Sequence, residues 1–329
     1  MTRLATLGIG LLAQTVSFDG YAQDAGTIEF ISEELNSIFS KDTKVEKIVE
    51  DCQFTEGPLW LEKEKMLLFS DIPANTIYKW TEARGKEVYL KPSGYTSSEP
   101  RGGFMGSNGL YYTNDQLLIC QHGDRRIARM DAQLSAPKEN YVTVAGEYDG
   151  KRLNSPNDLI MSDKGDLYFT DPAYGLEEGL TDPEKEIAFQ GVYKMDKNGK
   201  ITLQDDAITQ PNGLAIFPDK KTMIVSSTDG PDRGWFLYDI DNDGNLKNKR
   251  VFYNVANEKG MGGCDGLKVD KSGNIFATGP GGIWIFSNKG KLIGKIKFDG
   301  MTVANLALTA DNKTMYITAT TNVFRLNLK

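Results

Sequence analysis

The chain has 329 residues, with 38 Lys and Arg against 45 Asp and Glu, a net charge of −7, 34 Gly, three Cys and one His. A single imidazole and three scattered thiols do not build zinc hydrolase or di-iron centres, so any metal held here is a hard one bound by oxygen. Nor does the acidic balance leave a basic footprint for nucleic acid, which is gripped by clustered Lys and Arg that displace counterions.

Residues 1–22 read as a secretory signal peptide. Arg3 gives a basic start, Leu4 to Val16 is mainly apolar but too short to span a bilayer, and Gly20-Tyr21-Ala22 offers small residues before a cleavage at Gln23. The other reading is a buried first helix or strand. Export implies a periplasmic or secreted protein, with no membrane contact after cleavage. Residues 23–43 form an N-terminal arm. In it Ile28, Phe30, Ile31, Leu35, Ile38 and Phe39 predict a short amphipathic helix or extended segment packed on the outside.

From 44 to 329 one pattern recurs six times: an acid or Asn, a turn residue, a short apolar strand, a turn, and a second strand rich in aromatic and β-branched residues. Glu56-Gly57-Pro58 precedes MLLFSD, Asn108-Gly109 precedes QLLICQ, and Asn157-Asp158 precedes DLYFTD. Asn212-Gly213 precedes TMIVSS, Asp265-Gly266 precedes NIFATG, and Asn305-Leu306 precedes TMYITA. The leading residues lie 40 to 55 positions apart, the size of a β-propeller blade of about four strands. The fold predicted is all-β, a six-bladed β-propeller with a short N-terminal arm. A ring has to close, so Lys44 to Glu50 is expected to add a strand to the blade that the C-terminus builds. Cys52, Cys120 and Cys264 lie far apart and are odd in number, which favours small buried side chains over bridges.

Innermost strands of a propeller start around one mouth of its central channel, so the six leading residues are expected to ring that mouth. Each carries a side-chain oxygen. A single Asn-Gly or Asp-Gly is only a turn signal, but six in register form an oxygen-donor set suited to Ca2+, with Glu56 and Asp265 matching its two charges. His122 follows a predicted inner strand. It reads either as a base or substrate contact facing the channel or as a structural histidine bonded between blades, and the following Gly123-Asp124-Arg125-Arg126 turn tips the reading toward structure. Two other motifs are turns. Asp239-Ile240-Asp241-Asn242-Asp243-Gly244 opens like an EF-hand loop, but Arg250 stands where the bidentate Glu is needed. Gly279-Pro280-Gly281-Gly282 lacks the Lys and helix of a phosphate loop.

The strings FTEGPLW (54–60), LNSPNDLIMSDKGDLYFTDPAYGL (153–176), QPNGLAIFPD (210–219) and CDGLKVDKSGNIFATGPGGIWIF (264–286) resemble the gluconolactonase/regucalcin-like (SGL) family of six-bladed propeller hydrolases, and CQHGDRRIAR (120–129) resembles its bacterial gluconolactonase branch. The resemblance spans roughly 28 to 329. It implies one divalent cation, usually calcium, held by Glu56, Asn157, Asn212 and Asp265, although the residue matching Asn157 contacts substrate in some relatives. It implies a small-molecule lactone as substrate, with the cation acting as a Lewis acid on the lactone carbonyl and Asp265 taking a proton from water, or attacking directly. Asn108 is then substrate-facing, and His122 is the further candidate for a substrate contact if it faces the channel. A phosphotriester or ester hydrolase using the same metal site, and a propeller that only binds a ligand, are the alternatives.

Overall fold

The computed structural model describes residues 26–329, so the predicted signal peptide and its cleavage point lie outside the described residues. Six antiparallel sheets stand around a central axis. Blade 1 is Thr55–Leu61, Met66–Asp71, Thr76–Thr81 and Gly85–Leu90; blade 2 is Ser107–Thr113, Gln116–Gln121, Arg126–Met130 and Tyr141–Ala145. Blade 3 is Leu159–Met161, Leu167–Asp171, Gly191–Met195 and Ile201–Asp205, and blade 4 is Pro211–Ile216, Thr222–Ser227, Gly234–Ile240 and Leu246–Asn254. Blade 5 begins with Leu267–Val269, Ile275–Gly279, Gly282–Phe286 and Leu292–Lys297, and blade 6 with Val303–Leu308, Thr314–Ala319 and Asn322–Asn327. In each blade the first strand is innermost, and these first strands touch one another in sequence until blade 6 meets blade 1.

Why the sheets form is visible in the second strands. Leu67, Leu68 and Phe69 are fully buried, as are Tyr168 and Phe169, and Met223, Ile224 and Val225. Such strands lie between two neighbouring blades with both faces covered, so their sequences are continuous apolar runs rather than alternating ones. The third strands, nearer the rim, carry wet positions: Tyr78 and Lys79 are half-buried between Ile77 and Trp80.

Ring closure is made by the N-terminal segment. Glu46–Val49 pairs antiparallel with Asn322–Asn327, Glu46 opposite Arg325 and Lys47 opposite Phe324, completing blade 6 as a four-stranded sheet from both ends of the chain. The arm before it is half strand and half 3-10 turn. Thr27–Phe30 pairs with Leu292–Lys297 as a fifth strand on blade 5. Glu33–Ser37 follows as a single 3-10 segment, capped by Ser32. It ends in Ile38 and Phe39, which with Leu35 pack into one core with Ile285, Ile296, Met315 and Phe324. The arm thus covers the seam between blades 5 and 6.

The three cysteines are free and buried. The acidic EF-hand-like run is a turn between strands three and four of blade 4, where Asp241 Oδ1 accepts from the amides of Asp243 and Asn245 at 2.9 and 2.8 Å. Arg250, the residue that spoils the calcium motif, pairs with Asp239 at 2.7 Å. Because Phe324 is 1 % exposed at the closure seam, Phe324→Ala is expected to cost about 3 kcal/mol, from lost transfer energy and the cavity left behind. Urea unfolding measures it; the same truncation at exposed Val88 should cost under about 0.5 kcal/mol.

Candidate active site at the channel mouth

A backbone device repeats beside the axis. Near the end of each second strand stands a small side chain, Ser70, Cys120, Thr170, Ser226, Thr278 and Thr318 in blades 1 to 6. Ser70 Oγ donates to the carbonyl of Asn108 at 2.8 Å, Thr170 Oγ1 to that of Asn212 at 2.8 Å, and Ser226 Oγ to that of Asp265 at 2.7 Å. These three hydroxyls satisfy the main chain of the leading residue in the next blade, whereas Thr278 Oγ1 donates to the Ala304 carbonyl and Thr318 Oγ1 to that of Asn305 in its own blade. The next position is used as well. Asp71 accepts from the amides of Gln53 and Phe54, at 3.0 Å each, and Asp171 from those of Asn154 and Ser155 at 2.7 and 2.8 Å, fixing the loops that deliver Glu56 and Asn157. Burial raises the Asp171 carboxyl to about 7.

Glu56, Asn108, Asn157, Asn212 and Asp265 line one cavity of about 170 Å3 together with His122. The first four are at most 3 % exposed; Asp265 is partly buried. The sixth leading residue departs from the expected ring. Asn305 does not line the cavity. Its Nδ2 donates to Glu56 Oε2 at 3.1 Å and its Oδ1 accepts from the amide of Leu306 at 2.9 Å, so it braces Glu56 from below. Gly266 makes this possible: a Cβ there would stand 2.0 Å from Asn305 Cγ. Gly57 is required for a similar reason. Its φ is +51°, a Cβ would lie 2.0 Å from the Asn108 carbonyl oxygen, and its amide donates to Glu56 Oε2.

The electrostatics are those of two acids forced together. Burial pushes Glu56 up to about 7. Asp265 is raised well above the usual carboxylate range, by burial first and then by the charge and hydrogen bond of Glu56, with Asp158 adding to it. Asn212 Nδ2 donates to Thr228 Oγ1 at 2.9 Å, leaving Asn212 Oδ1 buried with no partner, and Asp265 Oδ1 is in the same condition. Buried acceptors are rarely left unpaired. Two orphaned oxygens beside two crowded carboxylates fit a hard cation, which supplies the missing partner and the missing charge. Among the described residues no three His, Cys, Asp or Glu side chains cluster for a metal, so the donor set has to draw on the carboxamides.

His122 is 1 % exposed and burial pulls its pKa down to about 4. Its Nδ1 faces the carbonyl oxygen of Phe104 at 3.2 Å, which can only accept, so the proton sits on Nδ1. Its Nε2 then accepts from Asn108 Nδ2 at 3.3 Å. The imidazole both lines the cavity and holds two of its neighbours. Residues that the sequence reading missed complete the lining: Phe54, Ile72, Phe104, Tyr174 and Thr228. Phe54 and Tyr174 stand inside the family-like strings, but Phe104 lies in a loop with no periodic signal.

Fold and cavity together define a six-bladed propeller that gathers two acids and three carboxamides at one end of its axis. The chain belongs to the family described as SMP-30/Gluconolactonase/LRE-like region, which it matches over residues 54–321. The gluconolactonase of Zymomonas mobilis is 36% identical over 338 aligned residues, covering 98% of this chain and 94% of its own. A gluconolactonase from Xanthomonas campestris has a structure that matches with a TM-score of 0.78 at 29% identity, over 92% of this chain and 95% of that one. Regucalcin from Agrobacterium tumefaciens, described as a calcium-binding protein, shares the fold at a TM-score of 0.65 and 18% identity, over 85% of this chain and 92% of that one.

A raised acid favours the folded state when protonated, so its contribution is complete below the ordinary value of 4.5 and lost as pH climbs through about 7. The melting temperature of the chelated protein is therefore expected to fall between about pH 5 and pH 8, and Glu56→Gln to flatten that fall. A thermal melt series at fixed ionic strength measures both.

Proposed function

We propose that this chain is a cation-dependent lactone hydrolase acting on a sugar-type lactone, with Ca2+ as the cation. The observation that carries the reading is the convergence of Glu56, Asn157, Asn212 and Asp265 on one cavity, two of them with orphaned oxygens. These four residues would hold the ion, which when bound supplies a Lewis acid for the lactone carbonyl. The gluconolactonase similarity over nearly the whole chain supports the substrate class.

The remaining work falls to the chain's own groups. Asp265 is the more exposed of the two acids; with one carboxylate oxygen on the ion, its other oxygen would be the base that takes the proton of the attacking water. Glu56 is tied down by Gly57 and Asn305 and serves as a fixed charge. His122 is unsuited to the base role because its Nε2 lone pair is already engaged by Asn108. Phe54, Ile72 and Phe104 form an apolar wall that excludes bulk water from one side.

Exhaustive chelation should abolish hydrolysis of glucono-1,5-lactone, and excess Ca2+ should restore it; activity that survives chelation overturns the metal dependence. Asp265→Asn is expected to lower kcat by about 100-fold or more, with paraoxon and p-nitrophenyl acetate run in parallel to test for phosphotriester or ester hydrolysis. The signal-like N-terminus supports export as part of the same proposal. Cell fractionation and N-terminal sequencing of the mature protein should find Gln23 first in the periplasm or medium, and an intact Met1 in the cytoplasm overturns it.

A further inference from the structure

The loop 91–106, between the last strand of blade 1 and the first of blade 2, contains no strand. Near its end stands Phe104, a large apolar side chain that is 39 % exposed at the rim of the cavity, on the same side as Phe54 and Ile72 and facing the carboxylates and carboxamides. Its ring meets Phe54 edge to face, 5.2 Å between centroids at 88°. Gly102 and Gly103 precede it, the latter at φ +72°, so the chain just before the ring has little stiffness of its own. Before the ring the main chain is tied to the blade 3 loop, the Gly102 amide donating to Glu177 Oε1 at 3.1 Å; from the ring onward it is held by blades 1 and 2. The Gly123 amide donates to the Met105 carbonyl at 3.0 Å, the Gly106 amide to the Ile72 carbonyl at 2.9 Å, and His122 Nδ1 to the Phe104 carbonyl itself at 3.2 Å.

We propose that Phe104 is the platform on which the substrate ring lies and that His122 is the positioning residue that sets it. This rests on the lactone hydrolase reading. A sugar-type lactone carries hydroxyls and the carbonyl around its edge and C–H bonds on its faces. The cavity has matching sides: Asn108, Asn157, Asn212 and the two acids for the edge, and Phe104 with Phe54 and Ile72 for a face. An aromatic ring covering one C–H face also gives the exposed position of Phe104 a use, since burial by ligand removes the cost of its exposure. His122 contributes through its bonds to Phe104 and Asn108, and its two nitrogens separate those roles. An Asn side chain at 122 places a donor where Nδ1 is, reaching the Phe104 carbonyl, whereas a Gln places its amide oxygen, an acceptor, where Nε2 is, reaching Asn108 Nδ2.

The test measures the affinity of glucono-1,5-lactam, a ring analogue that resists hydrolysis, by calorimetry on the Ca2+-loaded full chain, alongside lactone kinetics. Phe104→Ala should weaken the lactam and raise KM about fivefold, with kcat falling much less, while Phe104→Trp keeps affinity within about twofold. His122→Gln should weaken the lactam as Phe104→Ala does, with less than about twofold further loss in the double variant, and His122→Asn should retain more affinity than His122→Gln. Leu180→Ala, an exposed apolar truncation elsewhere, is the control. Lactam affinity unchanged in Phe104→Ala, or absent from the wild type, overturns the platform; equal affinities for the two His122 variants, or full additivity, overturn the positioning role. Failure of the lactone hydrolase reading is seen separately, as no lactone turnover by the wild type, and the lactam still decides the platform. If a His122 variant lacks a cooperative melt, the bond to Phe104 is tested by Gly103→Pro, which displaces the same loop and should reproduce Phe104→Ala; wild-type affinity there overturns the dependence on loop position.

Discussion

The structure depends on how the main chain beside the central axis is satisfied. Six innermost strands begin where there is no further strand to pair with, and a buried carbonyl left unpaired costs about 1–3 kcal/mol. Ser70, Thr170 and Ser226 meet that need from the preceding blade, each donating to the carbonyl of Asn108, Asn212 or Asp265. Because the main chains of Asn108, Asn212 and Asp265 are held from outside their own blades, their side chains are free to face the cavity. The geometry of the site is therefore a property of neighbouring blades in contact, and no single blade contains it.

That dependence runs around the whole ring. The cavity takes residues from blades 1 to 5, and blade 6 enters through Asn305, which carries no weight in the lining but fixes Glu56. Blade 6 is itself closed by Glu46–Val49, and Thr55, the neighbour of Glu56, donates its amide to Thr320 in the turn before the last strand. The strand that closes the ring is thus two short steps of bonding from the acid at the cavity. Stability of the closure and geometry of the site are coupled through blades 6 and 1.

Much of this was legible in the sequence because a propeller writes the same local requirement once per blade. The leading acid or Asn and the buried second strand recur at blade-sized intervals, and the strings MLLFSD, DLYFTD and TMIVSS coincide with second strands in the structure. What was not legible lies where repetition fails. Asn305 has the same residue type as Asn108, and only the space left by Gly266 on the neighbouring blade turns it downward. The arm was ambiguous because Thr27–Phe30 takes its register from a blade almost the whole chain away. Phe104 sits in a loop shaped by Ile72, Gly123 and His122 rather than by its own sequence.

The single histidine and the two acids settle into complementary parts. In a cavity this dry an imidazole stays neutral, and with its proton directed to Phe104 it behaves as a hydrogen-bonding strut. The acids cannot relax in the same way, because burial raises both, Glu56 raises Asp265 further, and no Lys or Arg lines the cavity to offset them. Positive side chains are close at hand, in the loop between blades 1 and 2 and on blade 5: Arg101 donates to the Gly123 and Gly175 carbonyls, and Lys268 to the Leu267 carbonyl and to Asn305 Oδ1. Each is spent on backbone or carboxamide oxygens outside the cavity. A fold that keeps its cations out while crowding its acids in leaves the charge to be balanced by something that arrives with the ligands; in the proposed hydrolase that is the cation, and oxygen donors with no imidazole among them suit a hard one.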